Sequence, residues 1–130
     1  DKLVDIIASL EPTFGGINLE DIAAPACFDV EEKLRARLSI PVFHDDQHGT
    51  AIIATAGLLN ALDLTGRDFQ TTRLVCNSAG AAAIACIELI KAMGVRHDNV
   101  LMCDRKGVIY QGRDDLDQWK SAHAAKTDKL

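Results

Sequence analysis

The stretch "RLVCNSAGAAAIACIELIKAMGVRHDNVLMCD", residues 73–104, constrains this chain more than any other. Its two short apolar runs, "RLVCN" and "NVLMCD", read as buried strands of the parallel type. Between them, "SAGAAAIACIELIKAMGV" reads as a helix that small residues open and Gly94 closes. A strand, a helix and a strand with about 20 residues between the strands form a βαβ unit, which commits this half of the chain to an α/β fold.

The turn after the first strand sits where a dinucleotide fingerprint belongs. The pattern G-x-G-x-x-A sets a tight turn and bare backbone against a pyrophosphate at a helix N-terminus. The match is partial: Gly80 and Ala83 hold the second and third places, while Ser78 stands at the first. Asp104 lies about 24 residues beyond Gly80, where an acid commonly bonds a ribose 2′-hydroxyl. Arg105 and Lys106 follow at once, and positive charge there suits a 2′-phosphate. The plain alternatives are a turn whose small residues only permit close packing, and solvated loop charges.

Upstream, Leu3, Ile6, Ile7 and Leu10 share a helical period, and Pro12 ends that helix. "TFGGINLED" reads as a short strand whose acidic end, Glu20-Asp21, leaves the sheet. Cys27, Val30, Leu34 and Leu38 form one face of a second helix, with Glu31 and Arg35 as an i, i+4 pair on the other. "IPVF" is a short strand, and Pro41 places it at an edge or a strand start. Residues 47–62 are small and apolar nearly all round, so a helix there is expected to be buried on most sides. "KGVIYQGR" reads as a strand between glycine turns, and "DDLDQWKSAHAAKT" as a polar helix.

Two acidic pairs, Glu20-Asp21 and Asp45-Asp46, end short strand-like segments. Three converging carboxylates suit a hard divalent cation, Mg²⁺ or Mn²⁺. Turn residues before a helix, or an N-cap at Asp45 or Asp46, explain the same letters without a metal. His44 and His48 raise a rival zinc site, although H-D-D-Q-H is not the H-E-x-x-H pattern.

A net charge of −5 without a basic block argues against nucleic acid or an acidic membrane surface as partner. No apolar run reaches the roughly 18 residues a membrane span needs. The four cysteines form no C-x-x-C pair and read as buried reduced thiols of a cytoplasmic protein. The chain opens on Asp1-Lys2 with no signal peptide and no initiator methionine, so an excised piece of a longer protein is expected.

"FGGINLEDI", "IPVFHDDQHGTA", "NSAGAAAIAC" and "CDRKGVIYQGR" stand in the order and spacing found in bacterial malic enzymes, and the chain resembles that family over nearly its whole length. The resemblance implies oxidative decarboxylation of (S)-malate to pyruvate and CO₂, with reduction of NAD(P)⁺ and a requirement for Mg²⁺ or Mn²⁺. It implies Glu20, Asp21 and Asp46 as metal ligands and Asp45 as a companion catalytic aspartate. It implies Ser78, Ala79, Gly80, Ala81, Ala82 and Ala83 as the dinucleotide turn, with Asp104 and Arg105 as cofactor-selecting positions. Asp104 and Arg105 pull in opposite directions, so either NADP or NAD is expected, with NADP slightly preferred.

The implied fold is the end of a substrate domain, residues 1–45, followed by the first βαβ of a Rossmann-type domain, residues 46–130. The implied oligomer is a dimer or larger. Ser78 departs from the family's glycine, which puts cofactor affinity in question. The family's catalytic tyrosine and lysine fall upstream of this sequence, so the 130-residue piece alone is expected to turn over no malate. Three alternatives remain at this stage: a nucleotide-binding module without catalysis, a structural fragment, and an amino-acid or glutamate-type dehydrogenase, which shares the nucleotide turn but needs no carboxylate pairs.

Overall fold

In a computed structural model, residues 2–128 are described. Two helix-linked parallel strand pairs organise them. In the first, α1 (Lys2–Ala8) leads to β1 (Ile17–Leu19), α2 (Ala26–Arg37) and β2 (Val42–His44), with β1 parallel to β2. A five-residue π-helical turn, Asp45–Gly49, runs directly into α3 (Thr50–Thr65). In the second, β3 (Leu74–Cys76), α4 (Ala81–Ala92) and β4 (Val100–Asp104) form the expected βαβ unit. β5 (Gly107–Val108) adds antiparallel to β4, giving the order β3-β4-β5. A one-turn helix, α5 (Gln118–Ser121), follows.

Local chemistry explains why α4 stops where it does. Val95 N–H donates to Ile90 O, and Gly94 N–H to Lys91 O, with Gly94 at φ 122°. That is the Schellman arrangement, in which a left-handed residue turns the last carbonyls back on the chain. Gly66, at φ 64°, closes α3 through the same pair of bonds from Arg67 to Leu62 and from Gly66 to Asp63.

There are two cores. Val4, Leu19 and Leu34 form the first, under α1 and α2. Ile84, Ile87, Ile90, Val100, Met102 and Ile109 build the second, between α4 and the three-stranded sheet. Across the seam, Phe28 of α2 stacks on Trp119 of α5, with ring centroids 4.6 Å apart.

Several sequence expectations are corrected. In α1 the buried stripe is Val4 with Ile7 and Ala8, while Leu3, Ile6 and Leu10 are exposed. Helix α3 starts at Thr50, after the π turn, rather than at residue 47, and it buries only Ala51, Thr55 and Leu62. It packs mainly on α4 and the π turn, so Leu64 is left 85% exposed. β3 is an edge strand, and its Val75 is 67% exposed. Glu31 does not face solvent; it is buried against the π turn. Only Gln118–Ser121 of the polar tail is helical, capped by the Asp117 carboxylate, which accepts the Lys120 N–H at 2.8 Å. Arg113, Lys106 and Asp115 hold the residues before it in a turn. Just after β5, Ile109 still donates its N–H to Met102 O of β4 at 2.8 Å and accepts the Ala125 N–H at 3.0 Å, and Tyr110 then bridges Ala125. The cysteines are free; Cys27 is buried and the other three are half-buried. Burial pushes the thiols of Cys27, Cys76 and Cys86 up.

The tail is fastened by a cluster of Lys91, His97, His123 and Glu88. Lys91 Nζ lies 3.0 Å from His97 Nδ1 and 3.0 Å from His123 Nδ1, and Glu88 lies 3.7 Å from His123 Nε2. Burial, then Lys91, pushes the His123 imidazole below its ordinary value. The unfolded chain therefore takes up this proton before the folded one does. The associated stability is present above about pH 6.5 and is lost as pH falls below it. Thermal unfolding is expected to shift downward between about pH 7 and pH 5, and His123→Gln is expected to flatten that dependence. An unchanged slope in the variant would refute this assignment.

Candidate functional site

β1 and β2 are parallel with Leu19 opposite His44, so both chains leave the sheet at the same end. That register brings Glu20 and Asp45 side by side, and the π turn adds Asp46. One carboxylate oxygen from each of Glu20, Asp45 and Asp46 lies within 4.8 Å of the others. Asp21, at φ 58°, donates its backbone N–H to Asp46 Oδ2 at 2.8 Å. Its own carboxylate is not one of the three. The Asp45 carboxylate lies over Gly49: a Cβ built there would come 3.1 Å from Asp45 Cγ and closer still to Oδ1.

Three like charges this close disfavour one another unless a cation joins them. The donor set is all oxygen, with Glu20 and Asp45 exposed and Asp46 half-buried, which fits a hard ion such as Mg²⁺ or Mn²⁺ that keeps room for water and substrate. The two histidines do not join it. His44 is 0% exposed, with neither ring nitrogen hydrogen-bonded, and His48 is bonded to Glu31. A zinc site of His44 and His48 is therefore not what the fold assembles among the described residues.

The second feature is a groove of about 680 Å³ at the carboxyl end of β3 and β4. Asn77, Ser78, Ala79 and Gly80 form one wall, and Cys103, Asp104, Arg105 and Lys106 the other, with Asp115 and Lys120 at the rim. Gly80 precedes α4 with φ −82° and ψ 179°, and no side chain caps the helix. The free N–H groups and the positive end of the helix therefore remain available to an anion. Ala81, Ala82 and Ala83 form the first turn of α4, and Ala83 packs into the core instead of lining the groove.

Asp104 is held tightly. Arg113 donates to its Oδ1 at 3.0 Å and its Oδ2 at 2.8 Å, the Lys106 N–H donates at 2.9 Å, and Lys120 Nζ stands 3.7 Å away. The Arg113 hydrogen bond, more than any other influence, keeps this carboxyl below the usual carboxylate range. Arg113 also donates to Asp115 at 2.6 Å, which holds that carboxyl well below its ordinary value. Arg113 and Lys120 escaped the sequence reading. An arginine beside two aspartates looks like an ordinary polar turn, and only the return of the chain past β4 puts it on Asp104.

Residues 47–130 match the family described as malic enzyme, NAD binding domain, and residues 1–35 match the malic enzyme, N-terminal domain. The chain is 68% identical over 130 residues to an NADP-dependent malic enzyme of Rhizobium meliloti, covering 99% of this chain and 17% of that protein. It is 54% identical over 129 residues to an NAD-dependent malic enzyme of the same organism, covering 98% of this chain and 17% of that protein. The crystal structure of an NAD-dependent malic enzyme from Thermotoga maritima superposes with a TM-score of 0.88 at 40% identity, over 95% of this chain and 34% of that one. The chain thus spans only a minor part of the relatives it matches.

Proposed function

The chain belongs to the malic enzyme family, and from that premise we propose that it carries the metal loops and the opening of the cofactor domain of an enzyme that converts (S)-malate and NAD(P)⁺ to pyruvate, CO₂ and NAD(P)H. The observation that carries this reading is the meeting of Glu20, Asp45 and Asp46 where β1 and β2 end.

Glu20 and Asp46 serve as ligands in both the sequence and the structural reading. The third is Asp21 by motif or Asp45 by geometry; in the first case Asp45 stands beside the site as a catalytic aspartate. These carboxylates would hold a Mg²⁺ or Mn²⁺, which would supply Lewis acidity toward the substrate's C2 oxygen. The protein's part is placement. β1 and β2 present the acids from two strand ends, and the Asp21 N–H fixes the Asp46 carboxylate. The start of α4 offers its amides to a pyrophosphate. Asp104 and Arg105 both line the groove; an acid there suits a ribose 2′-hydroxyl and the arginine a 2′-phosphate, and NADP is slightly preferred over NAD. The reading places residues 1–45 in the substrate half and 46–130 in the cofactor half, in a cytoplasmic homo-oligomer, a dimer or larger.

The test uses the intact protein. Mn²⁺ titration followed by electron paramagnetic resonance, with and without malate, is expected to show one site per chain that malate tightens. Absence of such a site would sink the proposal. Asp21→Asn and Asp45→Asn separate the two third-ligand choices. On the cofactor side, a Cβ at Gly80 meets no atom within 4 Å and its backbone angles suit any residue. Gly80→Ala is therefore expected to leave the unfolding temperature unchanged. It should still weaken NADPH binding by about 1–3 kcal/mol through crowding of the pyrophosphate. Undiminished NADPH affinity in a fluorescence titration would exclude the close approach.

A further inference from the structure

The π turn Asp45–Gly49 is an unusual piece of backbone, because i→i+5 turns are rare and concentrate at functional sites. Something must select it over the ordinary helical start that the sequence suggests. Behind the turn stands Glu31 of α2, 7% exposed. Its Oε1 lies 2.6 Å from His48 Nε2, and its Oε2 accepts from Gln47 Nε2 at 3.4 Å. Gln47 is itself only 3% exposed. Arg35, one helical turn on, is at 3.9 Å and mostly solvated.

A carboxylate is costly to bury without compensation. Here the compensation comes from two consecutive residues of the π turn, the two that follow Asp45-Asp46. Helix α2 also begins four residues after Ile22, at the end of the loop that carries Glu20 and Asp21. The same helix therefore anchors both acidic pairs, one through the chain and the other through Glu31. Gly49 completes the arrangement, because any Cβ there would displace the Asp45 carboxylate.

We propose that Glu31 is a positioning residue of the acid site: by holding His48 and Gln47 it fixes the π turn, and so sets the spacing of Asp45 and Asp46 against Glu20. This rests on the divalent-cation reading above. Glu31 does not itself touch the cation.

The test measures Mn²⁺ affinity of the intact protein by electron paramagnetic resonance, with NADPH affinity and unfolding temperature measured in parallel. Glu31→Ala is expected to weaken Mn²⁺ binding by about 10- to 100-fold, the range found when outer-shell partners are removed. Glu31→Gln keeps an acceptor at the same reach and is expected to recover most of that loss. NADPH affinity should hold in both. Glu31→Ala and His48→Ala should be non-additive when combined, since they break one bond.

Should Glu31→Ala fail to fold, Glu31→Gln against His48→Ala carries the comparison. Mn²⁺ affinity that is unchanged in Glu31→Ala while Asp46→Asn abolishes it would overturn the inference alone. So would equal losses of Mn²⁺ and NADPH affinity, which would mark general loosening. A wild-type protein that binds no Mn²⁺ would overturn the cation reading and this inference with it.

Discussion

Asp46→Asn is expected to cost more Mn²⁺ affinity than the roughly 100-fold upper range of outer-shell changes. Asp46 does two jobs. One of its oxygens accepts the Asp21 N–H, and its carboxylate meets those of Glu20 and Asp45. Asparagine keeps the size and one carbonyl acceptor, so the loop geometry survives while a charged donor is lost. The sign of the stability change separates this from damage to the fold. Without metal, removing one of three crowded negative charges relieves repulsion, so the unfolding temperature should hold or rise. With Mn²⁺ at about 100 times its dissociation constant, the wild type gains about 2.7 kcal/mol by mass action, and the variant should gain almost none at the same concentration. Equal Mn²⁺-induced shifts in the two proteins would remove Asp46 from the ligand set.

Ile87→Ala should produce a large loss of stability, about 2–5 kcal/mol. Ile87 is buried in the middle of α4 and belongs to the core that contains Met102 and Ile109. Ile87 is itself 1% exposed, so truncating it opens a cavity inside the cluster. The expected readout is a lower urea midpoint with an unchanged slope. Leu34→Ala in the first core should cost a similar amount, and the double variant should be additive, because the two clusters share no buried member. A loss below about 1 kcal/mol at Ile87 would show that the site repacks.

What could be read ahead from the sequence was what local rules decide. The βαβ unit followed from the length and apolarity of "RLVCN" and "NVLMCD" and from the helix between them, and Gly94 marked its end through its own backbone freedom. Glu31 was misplaced because helical periodicity puts a glutamate on the polar face. Its true partners, Gln47 and His48, lie 16 and 17 residues on and meet it only through the fold. The π turn was invisible for the same reason, since no residue in "DDQHG" demands it without Glu31 behind it. Helix α3 looked buried all round, yet the described residues cover one side of it. Apolar composition records that a surface avoids water, but not which neighbour covers it. The Asp104–Arg113 bond was hidden by a nine-residue excursion through β5.

The stack of Phe28 on Trp119 has an optical consequence. Trp119 is the single tryptophan of this sequence, and it sits on the seam with Phe28 on one side and Lys120, at the rim of the groove beyond β3 and β4, next to it in the chain. Its indole emission therefore acts as a built-in gauge of the joint between the two halves. Any parting of α2 from α5 exposes the ring to water and shifts the spectrum to the red, with no label attached.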